Sequence, residues 1–381
     1  MKIVKKIVKT ILSVFLTAFL VLLGIFIAAV VSNINVIDEN IKFQEEHLEY
    51  LKTEYYKNYT PKNEADLAAF DLEKAIEDGV KLNEIAILGT HNSYQTLATK
   101  ETRFLMNIIE AITFEKFGLN TFDFEMDTLT EQLEMGIRNV EIDIETLDKD
   151  NKIEIKVTHN SIVDNASSAY DFTKAMEEIK LWSDNNPDHI PVIIIVEPKS
   201  FVIEVNGMKK FSLDYAKEVD KILENTLGDS LLTPKDMLRD YASFKEMREN
   251  DDWLTLKEAQ GKILVLLHDC DVTESYIALD ESIKTQKMFP MLRYDDRNES
   301  YTSFILENDV WNADSRKAES IDECKLIVRT RADKYPDYSD ERYEVTENCG
   351  SQIITTDFPE KVNGNESHSY SFEGKKIKLL K

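Results

Sequence analysis

The stretch Val192-Ile193-Ile194-Ile195-Val196-Glu197-Pro198-Lys199 contains five consecutive β-branched residues, and charged side chains follow them at once. The five apolar residues do not alternate with polar ones. This pattern is typical of a strand that is buried on both faces, as in a parallel sheet. The stretch therefore predicts a parallel β-strand that ends in residues capable of chemistry.

Similar short apolar runs recur along the chain, and polar residues follow each of them. The other runs are Ile85–Leu88, Val140–Glu145, Ile153–Val157, Ile263–Leu267, Leu326–Val328 and Ile353–Thr356. Helical-looking stretches, such as Tyr170–Asn185 and Leu213–Leu227, lie between them. Strands that alternate with helices and carry polar residues at their carboxyl ends predict an α/β fold, a TIM-type (β/α)8 barrel. Seven strands are visible, and we expect a short eighth strand between residues 228 and 245.

Composition excludes several classes of protein. The 381 residues include 46 Lys and Arg against 71 Asp and Glu, a net charge of −25, which argues against nucleic acid as a partner. A hydrophobic share of 43% suits a globular chain. Only three cysteines are present, so a dense disulfide framework and a site of several thiolates are excluded. Cys324 and Cys349 could form a disulfide outside the cell, in which case Cys270 would remain a free thiol. Three free thiols are equally compatible with the sequence.

The amino-terminal segment is the most apolar part of the chain. Residues 11–31 are almost wholly apolar, and a helix of this length spans about 31 Å, the thickness of a bilayer core. Lys2, Lys5, Lys6 and Lys9 precede the segment and favour a cytoplasmic amino terminus. We expect a cytoplasmic tip (1–9), a transmembrane signal anchor (10–31), a juxtamembrane stalk (32–80) and an extracytoplasmic catalytic domain (81–381). The alternative is a cleaved signal peptide and a secreted protein, although the apolar core of such peptides is usually shorter.

Three carboxylates stand at strand positions that converge in a barrel. Glu141 and Asp143 are two residues apart, so both side chains point to the same face of their strand. Buried carboxylates need a cation, because an unpaired charge in the interior is costly. Glu197 adds a third carboxylate, and Asn92 can add an amide oxygen. A set of oxygen ligands suits Ca²⁺, with Mg²⁺ as the lesser alternative, rather than Zn²⁺.

Two histidines follow strands that end at the same pole of the predicted barrel. His91 follows the first apolar run and His159 follows the third. Two imidazoles beside a hard cation suit phosphoryl chemistry. One imidazole and the metal neutralise charge on the phosphoryl oxygens, and the other imidazole protonates the leaving oxygen.

These residues occur in an order that resembles a known family. Gly89-Thr90-His91-Asn92-Ser93-Tyr94 resembles the opening His-Asn motif of the calcium-dependent phosphoinositide-specific phospholipases C, in the bacterial branch close to the X-domain of the eukaryotic enzymes. Gly136-Ile137-Arg138-Asn139-Val140-Glu141-Ile142-Asp143 resembles the family's Gly-x-Arg…Glu-x-Asp strand. His159 and Glu197 stand where the family has its second His and a further acidic ligand. Residues 326–333 and 351–359 resemble the closing strands, so the resemblance covers about residues 82–360.

The resemblance implies a distorted TIM barrel that cleaves phosphatidylinositol at the glycerol–phosphate bond. The inositol 2-hydroxyl attacks phosphorus, and the products are diacylglycerol and a cyclic inositol phosphate. The implied Ca²⁺ ligands are Asn92, Glu141, Asp143 and Glu197. His91 would stabilise the transition state, and His159 would be the general acid. Glu141 or Glu197 would be the base that takes the 2-hydroxyl proton.

Two basic residues and one long insertion have open interpretations. Lys262 could contact the substrate phosphate or be structural. Arg138 could aid the phosphate or, as we prefer, pair with a carboxylate near the site. Residues 95–131 could form a lid or a lipid-facing rim or, more often in such folds, an amphipathic helix packed on the barrel. The expected partner is a phospholipid at a membrane surface, and the expected state is a monomer.

Two other functions are compatible with parts of this pattern. A glycerophosphodiester phosphodiesterase or phospholipase D-like enzyme shares the barrel, the two histidines and the acidic site. The first His of those enzymes tends to be followed by Arg, whereas Asn92 follows His91 here. A catalytically idle, membrane-tethered domain that binds inositol phosphates is disfavoured, because every catalytic position is filled.

Overall fold

A computed structural model describes residues 2–113, 123–150, 152–199, 204, 207–308, 323–335, 337–359 and 368–380. Its helices are α1 (Lys2–Tyr50), α2 (Leu72–Glu77), α3 (Lys100–Thr113), α4 (Leu129–Glu134), α5 (Phe172–Asn185), α6 (Leu213–Leu227), α7 (Pro234–Leu238), α8 (Phe244–Glu249), α9 (Thr273–Ile277) and α10 (Asp340–Asn348). Its strands are β1 (Ile85–Thr90), β2 (Asn139–Lys149), β3 (Lys152–Val157), β4 (Val192–Pro198), β5 (Met208–Lys209), β6 (Ile263–His268), β7 (Phe289–Arg293), β8 (Phe304–Leu306), β9 (Ile327–Arg331), β10 (Ile353–Thr356) and β11 (Ile377–Leu379).

Eight parallel strands close into a barrel, which confirms the predicted TIM-like fold. Their order is β1-β2-β4-β6-β7-β8-β9-β10, and β10 pairs with β1 to complete the circle. The antiparallel strands β3, β5 and β11 are additions at the ends of this barrel. The register aligns Asp143 of β2 with Glu197 of β4, so two predicted ligands stand side by side at the carboxyl end of the barrel.

The apolar residues divide into two layers, because successive side chains of a strand point to opposite faces. One layer fills the inside of the barrel and includes Ile87, Ile193 and Leu264. The other lies between the strands and the outer helices and includes Val140 and Ile194. Strand β4 contributes to both layers, which explains its unbroken run of β-branched residues.

The predicted strand inventory is wrong in three places. Residues 228–245 contain α7 and the start of α8 rather than an eighth strand. The run at 153–157 is a strand, but β3 pairs antiparallel with β2 and stands outside the barrel circle. Strands β7 and β8 complete the barrel instead. Both are short, β7 contains Pro290, and polar residues flank both strands, so their apolar pattern in the sequence is weak.

Helix α1 extends well beyond its apolar part and docks on the barrel. A π-helical turn and a 3-10 turn continue it to Asn58, and it is the one helix of the described residues long and apolar enough to cross a membrane. Beyond residue 31, the buried side chains of Asn40 and Gln44 bond the backbone at Asn165 and Asp171. The stretch predicted to be a stalk is therefore packed against the catalytic domain over its helical part.

Two features left open by the sequence take definite forms. Cys270, Cys324 and Cys349 are free thiols, so no Cys324–Cys349 disulfide is formed. The insertion at 95–131 contains the amphipathic helix α3, whose buried side packs on α1 rather than directly on the barrel. Residues 114–122 of that insertion lie outside the described part of the chain.

Candidate active site

The first element of the site is the segment that follows β1. Strands β1 and β2 approach closely at Gly89, where an added Cβ would lie 2.4 Å from Oδ1 of Asn139. Beyond this point Ser93 Oγ accepts the backbone N–H of Glu141 at 2.8 Å, and Ser93 N–H donates to the carbonyl of Glu141 at 2.9 Å. These bonds fix Asn92, with a φ of 48°, between the two strands. Asn tolerates this left-handed conformation better than most residues.

Three of the four predicted oxygen ligands converge at the carboxyl end of the barrel, and Asn92 precedes Ser93, which bonds the backbone of Glu141. Oxygens of Glu141, Asp143 and Glu197 lie within 4.8 Å of one another, and all three side chains are largely buried. Among the described residues, Oδ1 of Asn92 and Oδ1 of Asp143 are buried without a hydrogen-bond partner. Orphaned buried oxygens in an all-oxygen donor set are what a Ca²⁺ site requires before the ion is bound. These residues, which we call the oxygen cluster, therefore fit the predicted cation.

Lys199 lies within the oxygen cluster, and the sequence interpretation gave it no role. Its Nζ is 2.5 Å from Oδ2 of Asp143 and 3.4 Å from Oε1 of Glu197. Burial opposes the ammonium form, but Asp143 and Glu197 outweigh burial and raise the pKa of Lys199 well above its usual value. The ammonium thus neutralises part of the cluster. Lys199 stands two residues after Glu197, and this position could have marked it as a site residue.

His91 is held by a carboxylate that the sequence interpretation also missed. Its Nδ1 bonds Oδ1 of Asp357 at 2.9 Å, and its Nε2 lies 3.5 Å from Oε1 of Glu141. Although burial acts against ionisation, His91 and Arg331 lower the pKa of Asp357 to about 2. An ionised Asp357 accepts the Nδ1–H bond and fixes the orientation of the ring, so that Nε2 faces the oxygen cluster. Asp357 directly follows the apolar run 353–356, and this position at a strand end could have marked it as a site residue.

His159 lies on the loop after β3 and reaches the same region. The backbone N–H of the preceding residue, Thr158, donates to the carbonyl of Asp143, which brings the loop beside the oxygen cluster. The imidazole is 38% exposed, and its Nδ1 is 3.8 Å from Oδ2 of Asp164. Burial, with Lys199 and His91 as further causes, lowers the pKa of His159 to about 3. His159 is therefore neutral near pH 7, and a bound phosphate anion would favour its protonation.

Two arginines of β9 add positive charge to the site. Arg329 is buried and pairs with Glu141 and with Asn308. Arg331 Nη2 lies 3.4 Å from Oδ2 of Asp357 and 3.3 Å from Nδ1 of His91. Because Lys199, Arg329 and Arg331 face the carboxylates, the site is not a simple acidic patch. Neither arginine was predicted as a site residue.

Arg138 lies away from this region and has a structural environment. It precedes β2 at the amino end of the barrel, where its guanidinium pairs with Glu64 through both carboxylate oxygens. It also donates to the carbonyls of Leu133 and Ile137, and it stacks on Trp182 at 4.7 Å. The preferred interpretation, a pair with a carboxylate, agrees with this environment, but the pair is not near the site. Breaking a buried pair of this kind costs about 3–5 kcal/mol, so we assign Arg138 to stability.

The structure does not bring Lys262 to the site. Lys262 precedes β6, at the end of the barrel opposite the oxygen cluster. Its Nζ donates to the carbonyl of Asp229 at 2.7 Å. The predicted contact of Lys262 with the substrate phosphate is therefore wrong. Its position agrees with the alternative prediction, a structural role.

Comparisons with known proteins identify the family of the chain. A profile of the family described as "Phosphoinositide phospholipase C, Ca2+-dependent" matches residues 80–152 and 145–378. Curated protein sequences give no match. A solved calcium-dependent phosphoinositol-specific phospholipase C from Pseudomonas sp. is 17% identical, with a TM-score of 0.52, and the match covers 78% of this chain and 95% of that one.

A second solved structure is the Ca²⁺-dependent phosphatidylinositol-specific phospholipase C from Streptomyces antibioticus. It is 16% identical with a TM-score of 0.50, and the match covers 73% of this chain and 95% of that one. At such identities the structural likeness shows the fold, whereas the profile match, which spans most of the chain, shows the family. The chain belongs to the Ca²⁺-dependent phosphoinositide phospholipase C family.

Proposed function

We propose that this protein cleaves phosphatidylinositol at the glycerol–phosphate bond and releases diacylglycerol and a cyclic inositol phosphate. The observation that carries the proposal is the meeting of two histidines with the oxygen cluster at one end of the barrel. In TIM barrels this end carries the chemistry. Membership of the family supports the choice of a phosphoinositide as substrate.

The metal role is proposed for Asn92, Glu141, Asp143 and Glu197, with Ca²⁺ as the ion. When bound, Ca²⁺ would supply charge stabilisation to the phosphoryl oxygens and make the inositol 2-hydroxyl more acidic. The orphaned oxygens of Asn92 and Asp143 favour this assignment. Lys199 would have to give up its contacts with Asp143 and Glu197 as the ion enters. Ca²⁺ suits an irregular carboxylate and amide site better than Mg²⁺, which demands near-octahedral geometry.

The two histidines are proposed to have different roles. His91, whose ring is oriented by Asp357, would stabilise negative charge that develops on the phosphoryl oxygens. His159 would donate a proton to the oxygen of the departing diacylglycerol. Glu141 or Glu197 would accept the proton of the inositol 2-hydroxyl.

The apolar part of α1 is proposed to anchor the protein in a membrane, with the barrel on the extracytoplasmic side. The four preceding lysines favour this orientation. An anchor also overcomes the repulsion that a chain with a net charge of −25 would meet at an anionic lipid surface. The active unit is proposed to be a monomer, because one chain supplies all the residues named above.

Lipid product analysis tests the proposed function against its alternatives. The full-length chain in nanodiscs that contain phosphatidylinositol should release diacylglycerol in the presence of Ca²⁺, as measured by mass spectrometry. Nanodiscs of phosphatidylcholine serve as the control and should yield none. Phosphatidic acid as the product would instead indicate a phospholipase D-like reaction. Binding of inositol phosphate without any product would indicate an idle domain.

A further inference from the structure

Helix α1 passes from its apolar part to its docked part without a break. Its apolar side chains are exposed over most of residues 3–31, whereas Asn33 and Asn40 are buried against the barrel. The backbone is helical throughout. No linker therefore separates the candidate membrane span from the catalytic domain, and the position of the span fixes the position of the barrel.

Helix α3 packs against the last turns of the apolar part of α1. Ala29 and Ile25 of α1 form one apolar cluster with Leu105 and Met106 of α3. Ser32 Oγ, at the end of this contact, donates to Oε2 of Glu101 at 2.8 Å. Residues 25–31 cover about 9 Å of helix length. If residues 11–31 fill a bilayer core, α3 lies beside about the last 9 Å of that core, where the core meets the membrane interface.

One face of α3 exposes large apolar side chains. Phe104 and Ile112 are 57% and 59% exposed, Leu97 just before the helix is 39% exposed, and Ile108 is partly exposed. Residues 104, 108 and 112 follow one another at intervals of four, so they share one face of the helix. Helices with such a face lie about 5–10 Å deep in the boundary between headgroups and acyl chains. We call Leu97, Phe104, Ile108 and Ile112 the seating surface.

The loop that carries His159 is held between α1 and α3. Asn33 Oδ1 accepts the N–H of Asn165 at 2.6 Å, and Asn33 Nδ2 donates to the carbonyl of Ser161 at 3.3 Å. From the other side, Thr102 Oγ1 donates to the carbonyl of Val163 at 2.9 Å. Asn33 is only two residues beyond the end of the apolar segment. The opening of the site on the His159 side therefore lies close to the level at which the span ends.

We propose that the seating surface enters the lipid interface of the membrane that α1 crosses and holds the opening of the barrel against that membrane. The occupant is a bilayer, because the surface lies at the same level along α1 as residues of the span itself. This inference rests on the proposed anchor, and its consequence for activity rests on the proposed function. The enzyme would then cleave lipids of its own membrane and spare those of a neighbouring one.

Fluorescence quenching tests the membrane contact without reference to activity. The full-length Phe104→Trp variant is reconstituted into vesicles of phosphatidylcholine with brominated acyl chains. The added fluorescence should be quenched. The matched control is Phe43→Trp, because Phe43 is also exposed on α1 but lies about 18 Å beyond Val31. The control should be quenched little, and absence of quenching at position 104, or equal quenching at both positions, would overturn the proposal.

Activity measurements test the consequence. Vesicles that contain both the enzyme and phosphatidylinositol are compared with enzyme vesicles mixed with separate phosphatidylinositol vesicles, and cleavage should occur mainly in the first case.

Phe104→Lys should lower cleavage within the shared vesicles about tenfold through lost apolar contact, while Phe43→Lys should not. Both variants should turn over a soluble short-chain phosphatidylinositol normally. Quenching without any cleavage would support the membrane contact and contradict the proposed function instead. Equal rates in both vesicle arrangements would contradict the seating proposal.

Discussion

Replacing His159 by alanine is expected to lower kcat on phosphatidylinositol by about 10²–10⁴-fold, the usual contribution of a general acid. The imidazole is neutral near pH 7, because burial and the nearby Lys199 and His91 lower its pKa to about 3. An anionic phosphate brings the charge that makes protonation favourable. The variant should still bind substrate, so KM should change much less than kcat. Steady-state kinetics of the purified full-length variant measure both parameters.

The choice of leaving group separates a general acid from a residue that only supports the loop. An inositol phosphate ester of 4-nitrophenol has a leaving oxygen that needs no proton, so the His159→Ala variant should lose little activity with it. His91→Ala is the contrasting variant, because the loss of charge stabilisation at the phosphoryl oxygens should slow both substrates. An equal loss of His159→Ala activity on both substrates would exclude His159 as the acid.

Removal of Ca²⁺ with EGTA is expected to reduce activity at least about 10²-fold, since a bound metal supplies several kcal/mol of charge stabilisation. Lys199, which contacts Asp143 and Glu197, would then be the main cation among the carboxylates. Its ammonium group balances the negative charge of the carboxylates but cannot coordinate a phosphoryl oxygen as a metal ion does. Ca²⁺ should restore activity on back-titration, and Mg²⁺ should restore less.

Calorimetric titration with Ca²⁺ gives a second readout that does not depend on turnover. Asp143→Asn should weaken Ca²⁺ binding strongly, because it removes a charged oxygen from the oxygen cluster. Glu154→Gln is the matched control, since it removes the same charge from a surface carboxylate that pairs with Lys152 and Lys156. Full activity in excess EGTA, or equal Ca²⁺ affinity of the two variants, would contradict the metal assignment.

The fold could be predicted from sequence mainly where strands are buried on both faces. Strand β4 is recognisable from its five β-branched residues, and the helix at Leu213–Leu227 was predicted with its observed bounds. Strands β7 and β8 were missed because they are short and one contains Pro290. The run of β3 was placed in the barrel because an apolar pattern does not reveal whether a strand pairs in parallel or in a hairpin.

The candidate site was predictable to the extent that its residues stand in short local motifs. Glu141, Asp143 and Glu197 lie close together, because each lies within a strand that ends at the same pole, and Asn92 precedes Ser93, which bonds the backbone of Glu141. The partners of these residues were not predictable. Asp357 meets His91 across a separation of 266 residues, and no local pattern encodes that pairing. Position in the barrel likewise separates Arg138, which pairs with Glu64 at the amino end, from the lysine and arginines that pair with carboxylates of the site.

The docked part of α1 is a further feature that the sequence did not reveal. Residues 32–58 are rich in charged side chains, which suggested a solvated stalk. The docking contacts use uncharged amides, such as those of Asn33 and Gln44, and these are not distinguishable from surface residues by composition. Only the tertiary structure shows that the helix carrying the apolar segment also holds the loop of His159.

The identity of the phosphorus product tests the central proposal most directly. Phosphorus NMR should follow the full-length enzyme acting on a soluble short-chain phosphatidylinositol in Ca²⁺. Attack by the inositol 2-hydroxyl predicts that a cyclic phosphodiester appears first, together with diacylglycerol, and that any monoester forms later from it. The appearance of inositol monophosphate from the start, with no cyclic intermediate, would contradict the proposed mechanism.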